Sequence, residues 1–390
     1  MAQVRAGDLL KLIPDEILKK IGNDLEVDKI NQHLTGKTIF KVLLFSLAQT
    51  TRVSLRYIEN IYNSAMFQQH LDDDTNKIKG RHSSFADRLR KVKVEYFATI
   101  FHHLVESYHT QLPSKTTADI QKFDSTIIKI SGKLFDGLNC GGSNKNQLRH
   151  FKVVIGQKGL IPSSVYFCTN QSEACDDIAL KAAIIKASVS SNDIITFDRG
   201  LQSGKTYIEF SQSKKKVVTR IKVDRKHQVL ENYILPEITE NDEGKIISDQ
   251  KILLWDSEKN KFFNTAFRLI RISTPKQEIL ILTNMFDLNA YEIAQLYRRR
   301  WDIEVFFRFI KQELNYKHFL AHNQNGLMVY IYMILILAIL LILYKTLNSL
   351  TGFKFVKIAF FQELENEIIC DLIKISGGNP KIFLEKFGLL

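Results

Sequence analysis

Residues 327–344 run for eighteen positions without a single charge. That length reaches the threshold for a membrane-spanning helix, so any fold of this chain must give the segment somewhere dry to lie. A helix buried on all sides in a protein core satisfies the same pattern. The remainder of the chain favours the core. Of 390 residues, 45% are hydrophobic and 25% charged, which excludes a disordered or collagen-like chain. The first residues, MAQVRAGDLLKLIPDE, bring acids before any long apolar run and do not form a secretory signal. Length alone predicts two or three domains.

Charge points to the partner. Lys and Arg number 54 against 42 Asp and Glu, a net charge of +12. Such a surplus draws a polyanion, nucleic acid before an anionic membrane. The four cysteines (Cys140, Cys168, Cys175 and Cys370) contain no C-x-x-C. Neither a disulfide scaffold nor a zinc ribbon is expected, and a reducing compartment fits. The close histidine pairs, His102 with His103 and His318 with His322, predict no zinc site.

Apolar periodicity divides the chain. Residues 1–115 carry apolar positions three and four apart with charges between them, an all-helical N-terminal domain. Ser83, Ser84 and Asp87 mark a helix entrance there, and Arg81, Arg88, Arg90, Lys91 and Lys93 make it basic. From residue 116 the pattern turns β-branched. Three strands, a helix, a strand, a helix and a strand follow up to residue 222, which is an α/β sheet opening on a meander with a turn at residues 157–159. Residues 223–290 look β-rich, an insertion. Residues 291–390 begin with a long helix, for which Asn289 is the expected cap.

Three acids stand out by position. Asp124 lies inside the first strand, Asp198 ends the strand NDIITFD, and Glu304 lies within the long helix. A carboxylate in an apolar strand is costly unless it is paired or binds a cation. Each alone could be a capping or salt-bridging acid. Together they supply hard oxygen ligands of the kind Mg²⁺ prefers beside phosphate oxygens. On the helix, Tyr297, Arg300, Glu304 and Lys311 stand at i, i+3, i+7 and i+14. On a continuous helix these point to roughly 0°, −60°, −20° and −40°, one narrow stripe. A phenol, a guanidinium and an ammonium flanking an acid suit a phosphodiester, although Arg300 and Glu304 also have the spacing of an ordinary salt bridge. Lys214, Lys215, Lys216, Arg220, Lys222, Arg225 and Lys226, opposed only by Asp224, form the densest basic cluster. It suggests a DNA backbone track, or lysines guarding an exposed edge strand.

FDST at 123–126, Asp198-Arg199-Gly200, and Tyr297-x2-Arg300-x3-Glu304-x6-Lys311 together resemble the DDE/YREK signature of insertion-sequence-4-type transposases. The resemblance spans about residues 119–345 and includes LTN at 282–284, YRRRWDIE at 297–304 and FIKQEL at 309–314. Leu201 departs from it, standing where the family often has Tyr. The resemblance implies an RNase H-like catalytic domain with a β-strand insertion before the Glu. It implies that Asp124, Asp198 and Glu304 hold two Mg²⁺ (or Mn²⁺) ions, about 3.5–4 Å apart in such sites. Tyr297, Arg300 and Lys311 would grip phosphates of double-stranded DNA, with Arg199 beside them. Trp255, in the β-rich block, would stack on a displaced base in relatives that form hairpins, or simply pack there. The implied assembly is a homodimer on paired ends, in the bacterial cytoplasm at the nucleoid and not in a membrane. The rival reading is a catalytically inactive relative that only occupies ends.

Overall fold

The computed structural model describes residues 4–29, 33–50, 52–70, 79–111, 120–131, 138–139, 148–187, 189–235, 240–241, 244–314, 320 and 323–387. Cys140, His318 and His322 lie outside them. The chain divides into two compact units, residues 1–113 with 307–390, and residues 114–306.

The first unit is helical among the described residues. Its N-terminal part contains α1 (Ala6–Leu10), α2 (Asp15–Asp24), α3 (Gly36–Gln49), α4 (Leu55–Asn63), α5 (Ala65–His70), α6 (His82–Lys91) and α7 (Val94–Gln111). The basic helix α6 begins one residue earlier than its serines suggest. Arg81 is the N-cap without a side-chain bond, and the Glu59 carboxylate accepts the His82 N–H at 2.9 Å instead.

The second unit is built on one large sheet. Its strands are β1 (Ile120–Ser131), β2 (Leu138–Asn139), β3 (Leu148–Lys158), β4 (Ile161–Cys168), β5 (Ile194–Phe197), β6 (Lys216–Ile221), β7 (His227–Asn232), β8 (Glu240–Asn241), β9 (Gly244–Asp256), β10 (Lys261–Ser273) and β11 (Glu278–Thr283). They run in the order β2-β3-β1-β5-β6-β11-β10-β9-β7, with β4 also on β3 and β8 on β9. β1, β5 and β6 are parallel, and β3 is antiparallel to β1. Gly159, at φ +62°, turns the chain between β3 and β4. The stretch expected as an insertion, residues 223–290, continues this sheet: β11 pairs with β6, and β10, β9 and β7 follow outward. β6 is therefore a central strand, and Lys216 and Arg220 on it do not guard an edge.

Side chains alternate across the sheet, and both faces are buried. Phe123, Ile195, Phe197, Val217 and Leu282 enter a core covered by α8 (Asp176–Lys186) and α9 (Gly204–Gln212). Ile120, Ile194, Val218 and Ile281 face the other way and pack with Ala290 and Ile293 of α10 (Ala290–Arg298). The expected cap is present there: Asn289 Oδ1 accepts the Glu292 N–H at 2.9 Å, and the Glu292 carboxylate accepts the Asn289 N–H at 2.8 Å.

The expected long helix is broken. α10 ends at Arg298, and α11 (Trp301–Glu313) starts after a turn in which Arg300 N–H reaches Tyr297 O and Ile303 N–H reaches Arg300 O. These tight i→i+3 bonds interrupt the α-helical ladder. α11 carries the chain back into the helical unit, which closes with α12 (Gln324–Leu347), α13 (Phe353–Ile375) and α14 (Pro380–Lys386). The uncharged run is α12. It is long and apolar enough to cross a membrane, yet 94% of its most apolar eighteen-residue window is buried, against α7, α13, α6 and α3.

Candidate active site at the parallel strand ends

Three parallel strands deliver the site. Phe123 of β1 stands opposite Phe197 of β5 at the last pair of that ladder, so the next residues, Asp124 within β1 and Asp198 just past the end of β5, lie beside each other. Both phenylalanines point into the core under α8 and α9, which turns the two acids toward the face covered by α10. Thr219 of β6 is level with Phe197, which adds Arg220 to the same row. The carboxyl ends of parallel strands are where open α/β sheets present functional groups.

Local geometry holds the two acids. The Ser125 N–H donates to Asp124 Oδ1 at 2.8 Å, and the Gly200 N–H donates to Asp198 Oδ1 at 2.8 Å. Gly200 gives both acids room, because a Cβ there would lie 2.9 Å from Asp198 Oδ1 and 3.2 Å from Asp176 Oδ2 and would force these carboxylates to shift. Burial, and then the charge of Asp198, push the Asp124 carboxyl up to about 7, with Glu304 adding to the effect and the Ser125 N–H and Arg300 opposing it. Negative charge is gathered here faster than it is neutralised.

The helix break reshapes the expected stripe without scattering its core. Arg300 pairs with Glu304 Oε1 and lies 5.8 Å from the centre of the Tyr297 ring. Its Nε is buried and has no hydrogen-bond partner among the described residues. Burial raises the Tyr297 phenol above its usual range, against the pull of Arg300 and Arg220. Lys311 is seven residues beyond Glu304, on the part of α11 that belongs to the helical unit, with its Nζ 5.1 Å over the Phe307 ring.

The remaining expected residues separate. Arg199 is exposed and lines an open groove with Asp198, Gly200, Lys222 and Asp224. Arg220 donates to Gln277 Oε1 at 2.9 Å. Lys215, whose carbonyl accepts from Asn284, stands before the start of β6, five residues from Arg220 and therefore roughly 16 Å away along the strand. The basic cluster is thus spread out: Lys214, Lys215 and Lys216 lie at the start of β6, Arg220 and Lys222 at its far end toward the acid row, and Arg225 and Lys226 just before β7. Trp255 packs edge-on against Phe262, at 4.8 Å and 76°, and the Lys226 ammonium covers its face at 3.4 Å. A stacking base would have to displace that ammonium.

Two residues were missed by sequence reasoning. Asp176 and Asp177 open α8 on the opposite face of the sheet. Asp176 accepts from the Ser125 hydroxyl at 2.9 Å and pairs with buried Lys152 at 2.7 Å. Asp177 accepts the Gln202 and Ser203 N–H groups at 2.5 and 2.8 Å, fixing the loop after Asp198. Two acids in a helix's first turn signal only a favourable dipole contact, which hides this bracing of both strand ends.

Among the described residues, no three acids, histidines or cysteines stand close enough to make a complete cation cage. The donor set still fits a divalent ion. Its members are carboxylates, and their mutual repulsion is the condition a bound cation relieves. Glu304 would have to leave Arg300 to join it.

Residues 117–341 match the family described as a transposase DDE domain. A protein of Sinorhizobium fredii named as the transposase y4zB is 28% identical over 268 residues, covering 68% of this chain and 72% of its own length. A protein of a Synechocystis species, named as the transposase of insertion sequence element IS4SA, is 24% identical over 264 residues, covering 66% and 70%. In structure the chain is similar to one in the piggyBac transposase synaptic complex with hairpin DNA, with a TM-score of 0.50 at 11% identity over 95% of this chain and 82% of that one. The chain belongs to the DDE-domain transposases of the insertion-sequence-4 type.

Proposed function

We propose that this transposase cuts and rejoins double-stranded DNA at the ends of its own insertion sequence, with Asp124, Asp198 and Glu304 as the catalytic acids. The observation that carries the reading is the acid row: two carboxylates side by side where the parallel β1–β5 ladder ends, one of them pushed up to about 7 by burial and by its neighbours. The three would hold two Mg²⁺ or Mn²⁺ ions. Bound there, such ions supply activation of the attacking oxygen and stabilisation of the leaving one.

The chain's own groups do the rest. Arg300, whose buried Nε has no acceptor among the described residues, would turn that donor to a phosphate oxygen once the DNA backbone is seated. Tyr297 packs beside the guanidinium and limits its directions. Arg220, Lys222 and Arg199 draw the DNA backbone toward the acid row, and Lys311 extends the stripe as a further phosphate contact. The N-terminal helices, with the basic face of α6, would bind transposon ends. The working form would be a homodimer on two paired ends, acting at the bacterial nucleoid.

Glu304→Gln tests this reading, since it keeps size and removes the charge that binds the cation. Incubated with the flanking genomic DNA and Mg²⁺, the parent should nick at the element's ends, while the variant should bind those ends and leave them intact. Substantial Mg²⁺-dependent cleavage by Glu304→Gln would remove the acid from the mechanism. Binding without cleavage by the parent would favour an inactive end-binding protein.

A further inference from the structure

Lys122 has a side chain with no exposed surface, on β1 two residues before Asp124 and on the same face of the strand. Its Nζ donates to Gly159 O at 2.7 Å and to Asp302 Oδ2 at 2.9 Å. Asp302 lies in the first turn of α11, two residues before Glu304. One ion pair thus joins the strand that bears the first acid to the helix that bears the third.

We propose that Lys122 and Asp302 are positioning residues, a clamp that sets Glu304 against Asp124. The inference rests on the catalytic reading above and adds what brings the third acid into place. Two observations support it. Because α10 and α11 are separate helices joined by the turn at Arg299 and Arg300, the packing of α10 on the sheet does not by itself fix the direction of α11. The pair is also a poor choice for stability. Burying an ammonium costs more than a salt bridge usually returns, and an apolar side chain of similar volume is often equal or better. Asp302, with 43% of its side chain exposed, would be satisfied by water at a helix N-terminus without any partner. Geometry is then what the pair supplies.

That argument separates folding from function, and the double variant Lys122→Met with Asp302→Asn exploits it. It leaves no unpaired buried charge, so its thermal midpoint should equal or exceed the parent's. Its affinity for end DNA, read by gel shift, should stay within about twofold, since neither residue is a phosphate contact. Its affinity for Mn²⁺ alone, and its single-turnover cleavage rate, should each fall about 10–100-fold, the usual cost of losing a group that orients ligands. Glu304→Gln is measured alongside. If the parent binds Mn²⁺ and Glu304→Gln loses it, while the double variant binds and cleaves like the parent, the clamp is wrong and the catalytic reading stands. If the double variant loses its folding transition, the pair serves stability and the positioning role is overturned. If neither Mn²⁺ binding nor cleavage by the parent depends on Glu304, the catalytic reading fails and the clamp falls with it.

Discussion

The two units differ in what surrounds their buried charge. In the helical unit, buried cations are met by carbonyls and by single carboxylates. Lys357 donates to Thr50 O and Glu313 O, and Arg88 to Leu34 O, Val27 O and Asp28 Oδ1. Its central helix α12 holds no charge from Leu327 to Tyr344. In the sheet unit several buried charges are paired with one another, as Arg268 is with Asp249 at 2.6 Å, but the strand ends collect acids that repel. A fold does not place acids that way for stability. The helical interior is arranged for packing, whereas the sheet's acid row carries a repulsion that costs stability, a pattern that fits the catalytic role proposed for it.

The largest effect should come from reversing that arrangement in the helical unit. Leu337 is fully buried at the middle of α12. Leu337→Lys puts an ammonium where there is neither water nor partner, and should destabilise by several kcal/mol and drive the protein into the insoluble fraction. Soluble yield with an unchanged thermal midpoint would mean that α12 is not the core helix described.

Relieving the acid row should have a smaller effect of opposite sign. The Asp124 carboxyl titrates near 7 in the folded chain, against an ordinary 3.8. Between those values the folded protein keeps a proton that the unfolded chain has lost, so this group's contribution to stability falls as pH rises toward 7. Asp124→Asn removes the fall. In metal-free buffer its urea midpoint should exceed the parent's, with the gap widening by on the order of 1–2 kcal/mol from about pH 5 to pH 7.5. A variant less stable than the parent at neutral pH would show the acid to be a structural asset.

Arg300→Ala should act mainly on binding. Loss of the guanidinium should weaken association with end DNA by roughly 1–3 kcal/mol and reduce the salt slope by about one contact. An unchanged slope would assign Arg300 to holding Glu304 alone.

How much of this was legible depends on whether the signal was local. Asp124, Asp198 and Glu304 can be picked out as candidates from their places in a strand, at a strand end and in a helix, together with a spacing that resembles a known signature. Asn289 could be read because a cap acts on its own first turn. The break at Arg299 and Arg300 could not, since no Gly or Pro marks it and the apolar spacing runs through. The place of residues 223–290 in the central sheet rests on β11 pairing with β6, and such pairings are set by strands far apart in sequence. Lys122 and Asp302 are 180 residues apart. Nothing in either neighbourhood announces the other.

The central claim is that the acid row binds the ions that cut DNA, and changing the ligand atom at Asp124 tests it most directly. Asp124→Cys replaces a hard oxygen by sulfur, which Mg²⁺ accepts poorly and Mn²⁺ tolerates better. The predicted result is end cleavage lost in Mg²⁺ and partly restored in Mn²⁺, with end binding retained in both. Cleavage by Asp124→Cys that is equal in the two metals, whether fully present or fully absent, would contradict a direct Asp124–metal contact.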